Sequence, residues 1–189
     1  EVQTSAAVGP VDNVNDNPAG TPTIGGTPTE DEVLTVLTAS IGDDDGLGAL
    51  AVQWLRNGVA IGGATAATYQ LGDADVGASI SARVSWVDAH GTAETLTTGA
   101  VGPVAPVNDA PVGLPVIQGT LAEDEVLSVD TSGITDADGL GSMDVQWLRN
   151  GAPIAAAPAS TYTLTQADVG AQISVRVAWT DGQGTGEVL

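Results

Sequence analysis

The hexapeptide Gln-Trp-Leu-Arg-Asn-Gly stands at residues 53–58 and again at 146–151, and this offset of 93 holds along the chain without a gap. Glu30-Asp31-Glu32 falls on Glu123-Asp124-Glu125, and Asp43 and Asp45 fall on Asp136 and Asp138. Tyr69 matches Tyr162, Asp75-Val76-Gly77 matches Asp168-Val169-Gly170, and Trp86 matches Trp179. A fixed internal period decides the architecture before any local pattern does. A unit of this length exceeds helical and leucine-rich repeats and suits a whole β-sandwich of about 100 residues. The register also assigns the ends. Residues 1–18 align with 94–111, so they are expected to be the last strand and linker of a preceding repeat. Residues 19–111 are then repeat 1 with its linker, and 112–189 are repeat 2 without its last strand. The chain opens on Glu1 with no apolar leader, so any export signal is expected to lie outside it.

Within one unit the pattern is that of strands. Residues 33–38, 50–54, 59–61, 68–71, 79–87 and 94–101 are expected to be strands B, C, C′, E, F and G. On the longest, Ile80, Ala82, Val84 and Trp86 alternate inward, with Ser81, Arg83 and Ser85 outward. Asn57-Gly58 between C and C′ is the strongest short hairpin signal, because both turn positions need positive φ. Gly and Pro recur, and no 3.6-residue apolar stripe is long enough for a helix. The fold class is therefore all-β, as tandem antiparallel sandwiches.

Charge narrows the partners. Asp and Glu number 24 against four Arg and no Lys, for a net charge of −20. Nucleic acid and anionic membrane, both polyanions, are excluded as electrostatic partners. Cations fit. No run of about 18 apolar residues could insert in a bilayer. There is no Cys, so no disulfide or thiol chemistry is available.

The series Gln-Trp-Leu-Arg-Asn-Gly, then Thr-Tyr-x-Leu, then Ala-Asp-Val-Gly-Ala-x-Ile-Ser-x-Arg-Val resembles the Ig-like repeats of large secreted bacterial proteins, especially RTX-type adhesins. It covers both repeats. The resemblance implies Greek-key Ig-like sandwiches of about seven strands, with Trp54 and Trp147 as the core Trp of strand C. No Cys pair bridges the sheets, and Trp86 and Trp179 are expected to fill that volume. The usual tyrosine corner is missing, with Ser79 and Gln172 near its place. The linkers Val14-Asn15-Asp16-Asn17-Pro18 and Val107-Asn108-Asp109-Ala110-Pro111 resemble the calcium-binding linker of cadherins.

Alternating strands place the acidic loops. Glu30, Asp31 and Glu32 fall on the AB turn and Asp73 and Asp75 on the EF turn, both at the C-terminal pole of repeat 1. Asn108 and Asp109 form the linker below. Asp136, Asp138 and Asp181 fall on the BC and FG turns at the N-terminal pole of repeat 2. The preceding boundary carries Asn15, Asp16, Asn17, Asp43, Asp45 and Asp88, and the far pole of repeat 2 carries Glu123 and Asp124. Carboxylates mixed with Asn and backbone carbonyls suit Ca²⁺, which takes 6–8 oxygen ligands. Asp and Asn are also common in turns for local hydrogen bonding, and Asp75 and Asp168 serve equally well as caps of the EF turn. Asp43-Asp44-Asp45-Gly46 lacks the spacing and terminal Glu of an EF-hand loop.

Catalysis is not expected. The single His, His90, is replaced by Gln183 in the second repeat, so no Ser-His-Asp set recurs. Arg56, Arg83, Arg149 and Arg176 recur on strands and are expected to pair with acids across strands. With four Trp on core faces and two Tyr, no aromatic sugar platform is visible. The expectation is a calcium-rigidified spacer of an extracellular, bacterial-surface adhesin, its repeats joined head to tail and projecting a terminal binding domain. Alternatives are a glycan- or protein-binding Ig-like module, or an accessory module of a secreted enzyme. Residues 1–10 also match the strand missing from repeat 2, so strand exchange into repeat 2 of another molecule is expected.

Overall fold

The computed structural model describes residues 2–155 and 159–189, so Glu1 of the expected donor strand lies outside the described residues. The chain divides into two compact units, Glu1–Pro106 and Val107–Leu189. Among the described residues the sheets of each unit are antiparallel, and unit 1 adds two isolated parallel bridges, Thr29 with Ala105 and Val76 with Val104. In the first, β1 (Thr23–Gly25), β2 (Val33–Leu37) and β5 (Thr68–Gln70) form one sheet in the order β1-β2-β5. The strands β3 (Ala51–Arg56), β4 (Val59–Ala60), β6 (Ile80–Val87) and β7 (Ala93–Thr97) form the other, ordered β4-β3-β6-β7. The second unit repeats the scheme. Strands β8 (Val116–Gln118), β9 (Val126–Asp130) and β12 (Thr161–Thr163) make its smaller sheet. Strands β10 (Asp144–Arg149), β11 (Ala152–Pro153), β13 (Ile173–Thr180) and β14 (Gly186–Val188) make the larger. The only helical pieces among the described residues are 3-10 turns at Asp73–Asp75 and Gln166–Asp168.

Period-two alternation sets which side chains go inside. On β6 Ile80, Ala82 and Val84 are fully buried and Trp86 nearly so, while Arg83 is exposed. Leu34 and Val36 from β2 close the same core from the opposite sheet, with Trp54 of β3 between them and no exposed surface of its own. The arrangement is sandwich-like, with two half-apolar sheets hiding one another's inner faces. Asn57 and Gly58 take φ of 48° and 81°, the pair of left-handed conformations that turns β3 back into β4, and Asn150-Gly151 does the same with 47° and 78°.

Three details differ from the expectations. Ser81 was placed outward, yet it is buried. It lies beside Leu55 of β3, while the stretch after β7 bonds to its neighbours Ile80 and Ala82. Repeat 2 does own the start of its last strand, since β14 pairs with β13 and Leu189 exchanges backbone hydrogen bonds with Val177. The linker residues Val107–Pro111 belong with the second unit rather than the first, for a reason found in their hydrogen bonds.

Candidate metal centre

At the start of each unit three segments are tied together by acidic side chains. In unit 1, the Asp16 N–H donates to Asp45 Oδ2 at 2.6 Å, and the Asn15 side-chain amide donates to Glu94 Oε1 at 2.9 Å. In unit 2, the Asp109 N–H donates to Asp138 Oδ2 at 2.7 Å and Asn108 donates to Glu187 Oε1 at 3.0 Å. This repeated anchorage is why each linker travels with the unit that follows it. Asn17 is exposed.

The β2–β3 loop is shaped by its first aspartate. Asp43 Oδ1 accepts the Asp45 N–H at 3.0 Å, and Asp136 Oδ1 accepts the Asp138 N–H at 3.1 Å. Asp43 Oδ2 also accepts the indole N–H of Trp86 at 3.1 Å. The third contributor comes from the β6–β7 turn. Asp88 Oδ1 accepts the His90 and Thr92 N–H groups, each at 2.8 Å. Asp181 Oδ1 does the same for Gln183 and Thr185, also at 2.8 Å. Burial would raise the Asp88 pKa, but the N–H donors of Thr92 and His90 outweigh it and hold the carboxyl below its ordinary value.

Asp45, Asp88, Asp138 and Asp181 are each at most 7% exposed. The second oxygens of Asp88 and Asp181 are buried and accept no hydrogen bond from the described residues. A buried acceptor without a donor costs about 1–3 kcal/mol, more when charged, so such oxygens are the exception in folded proteins. A hard cation is the partner their chemistry fits. Carboxylates alone do not complete a site within one unit. Among the described residues, no three Asp, Glu or His side chains of one unit bring ligand atoms within 4.8 Å of one another. Asn15, Asn108, Glu94, Glu187 and backbone carbonyls are the further oxygen donors at these poles.

Position 90 gains a role that sequence reading did not give it. His90 Nε2 lies 4.0 Å from Asp45 Oδ1, and in unit 2 the Gln183 side-chain amide donates to Asp138 Oδ1. Only the Gln183 contact is a hydrogen bond, but the two side chains face corresponding carboxylates.

The opposite pole of unit 1 holds a different set. Glu30 is almost fully buried, and its carboxylate oxygen lies within 4.8 Å of one on Asp73. Asp31 takes φ of 63° and Asp124 φ of 66°, both exposed, so these two acids serve the left-handed turn between the first two strands of each unit. Glu32 and Glu123 are exposed as well.

Asp75 departs from the metal assignment. Its Oδ1 accepts Arg56 Nε–H at 2.7 Å, and its Oδ2 accepts the Tyr69 hydroxyl at 2.9 Å and the Gly72 N–H at 3.1 Å. Both oxygens are engaged, so Asp75 is a structural cap of the turn before β6. Asp168 repeats this with Arg149 at 2.7 Å, Tyr162 at 2.8 Å and the Thr165 N–H at 2.8 Å. Arg56 and Arg149 thus pair with turn residues rather than across strands. Among the described residues Arg83 and Arg176 make no ion pair.

Glu94 and Glu187 were missed as candidates. The signal was present, because the same register puts Glu at 1, 94 and 187. No protein-family model matches the chain, and no curated protein matches it.

Proposed function

We propose that the chain is a pair of Ig-like modules from the spacer region of a bacterial surface adhesin, and that Ca²⁺ bound at the module poles stiffens the array. The Ig-like reading draws on the strand orders β1-β2-β5 and β4-β3-β6-β7, and on the fully buried Trp54 and Trp147 in corresponding strands. The calcium reading is carried by one observation made twice. A linker is bonded to a pole whose buried carboxylates, Asp88 in one unit and Asp181 in the other, each keep an oxygen that accepts no hydrogen bond.

The mechanism is mechanical. Each linker is hydrogen-bonded to the pole of the unit that follows it, and repulsion among the acids there works against that attachment. A divalent ion shared between linker and loops would fix the attachment and cancel part of the net charge of −20. Because the ion binds the folded module, it also raises stability by mass action. Modules of this kind work outside the cell, where sites with dissociation constants of about 0.1–1 mM are filled. All four Trp residues are buried, which counts against a sugar-binding platform.

The test compares X-ray scattering and thermal melting in excess calcium and in chelator. A spacer gives a narrower distribution of dimensions and a higher Tm with calcium. Identical profiles and identical melts in the two buffers would sink the reading.

A further inference from the structure

The tips of the two Asn-Gly hairpins are fastened in an unusual way. Asn57 takes a left-handed φ of 48° and Asn150 one of 47°. Their backbone N–H groups still pair as in a sheet. The Asn57 N–H donates to the Ser79 carbonyl and the Asn150 N–H to the Gln172 carbonyl, both at 2.8 Å. The return bond goes to the side chain instead of the backbone. The Ser79 N–H donates to Asn57 Oδ1, and the Gln172 N–H to Asn150 Oδ1, both at 2.9 Å. The carboxamide oxygen thus stands where a ladder carbonyl would. It clasps each hairpin tip to the residue just before β6 or β13.

Each clasp asparagine is followed by a glycine, and that pairing carries chemistry of its own. A backbone nitrogen whose residue has no side chain is the least hindered nucleophile that a neighbouring carboxamide can meet. Gly58 and Gly151 face open space, since a Cβ added to either would have nothing within 4 Å. Asn57 and Asn150 are exposed. Among the described residues no backbone carbonyl accepts the Gly58 or Gly151 N–H. The other asparagines lack this combination. Asn13 precedes a branched Val14, Asn17 precedes Pro18, which has no N–H, and Asn15 and Asn108 precede Asp16 and Asp109, whose charge opposes loss of the amide proton.

We infer that Asn57 and Asn150 are deamidation sites gated by the opening of their hairpins. In the first step the glycine N–H gives its proton to a base, the nitrogen bonds to the asparagine Cγ, and the carboxamide nitrogen takes up a proton and leaves as ammonia. The product is a five-membered succinimide. Water then opens the ring in one of two places. Cleavage of the new bond between nitrogen and Cγ gives aspartate. Cleavage between the nitrogen and the asparagine main-chain carbonyl carbon gives isoaspartate, whose backbone runs through Cγ and is one carbon longer.

Ring closure needs Cγ to turn onto the glycine nitrogen, while the clasp holds the same carboxamide on the Ser79 or Gln172 N–H. The clasp opens first, so the reaction draws on the fraction of molecules in which the hairpin tip is open. Aspartate keeps an oxygen that can accept the clasp bond again. Isoaspartate displaces it and adds a carbon to a two-residue turn, out of register with the Arg56–Val59 pair. Each site therefore turns a passing local opening into a lasting one. The inference makes no use of calcium.

Peptide mapping by mass spectrometry tests it on the 189-residue chain, aged in warm, mildly alkaline buffer and in urea sufficient to unfold it. Conversion of amide to acid should concentrate at Asn57 and Asn150 and run roughly tenfold or more faster in urea. Below the unfolding transition, the rate at each site should rise with urea in step with amide exchange at Ser79 or Gln172. After refolding, chains carrying isoaspartate should lose protection at those amides, while the double variant Asn57→Asp and Asn150→Asp should retain it. Equal rates in buffer and urea would overturn the gating. Unfolded chains that keep both amides intact would overturn the sites themselves, and isoaspartate chains with full protection at Ser79 and Gln172 would overturn the lasting change.

Discussion

Asp75 and Asp168 show how one acidic residue in a turn can be a cap rather than a ligand. Each carboxylate gathers a guanidinium, a phenol and a backbone N–H, so it has no oxygen to spare. Burial pushes the Asp168 pKa up, but Arg149, the Thr165 N–H and the Tyr162 hydroxyl more than offset it, and the carboxyl titrates well below the usual carboxylate range. The same contacts raise the Arg149 pKa. The folded pKa of Asp168 is depressed, so its contribution is present above the unfolded value, near 4, and is lost as pH falls toward the folded one. Asp168→Asn should lower stability by roughly 1–3 kcal/mol at neutral pH. It should also flatten the acid limb of the stability curve below about pH 4. Urea titrations at a series of pH values check both. The sequence left two readings open for this residue because Arg149, Tyr162 and Asp168 meet only where the two sheets pack together. Recurrence at a fixed offset marks all three as needed and cannot say for what.

At the scale of elements, the hairpins and inward faces were readable because each rests on local rules. Asn-Gly demands a left-handed turn, and alternation demands a buried side. Edges were harder. Ser81 sits on the outer register of β6 and is buried all the same, in the part of the sheet edge that the Thr98–Val101 stretch pairs with. The last strand of unit 2 begins earlier than the alignment with residues 94–101 implies, because β14 pairs through three residues, Gly186–Val188. Two glycines of identical local sequence separate the roles of these segments. Gly102→Ala should destabilise unit 1 by roughly 2 kcal/mol or more, since it combines a positive φ with a backbone clash. Gly9→Ala should cost less, since Gly9 shares a strained φ of 142° but meets no backbone clash, only Val11 lying near its Cβ position. Denaturant unfolding of both variants at low protein concentration distinguishes them.

Across the whole molecule the offset of 93 carried most of the architecture, including the recurrence of acids at corresponding poles. It did not show which acids are spent on protein donors. Asp31 and Asp124 hold turns, Asp75 and Asp168 hold arginines, and Asp88 and Asp181 keep a buried oxygen that accepts no hydrogen bond. Those distinctions depend on side-chain directions that no spacing encodes. Calcium binding at the poles depends on the last pair. Calorimetric titration of calcium into the chain, beside the double variant Asp88→Asn and Asp181→Asn, addresses them without intermediaries. Saturable binding with a dissociation constant of about 1 mM or tighter, weakened at least roughly tenfold in the variant, is the expected result. Calcium binding that is absent, or that the variant leaves unchanged, would contradict the account.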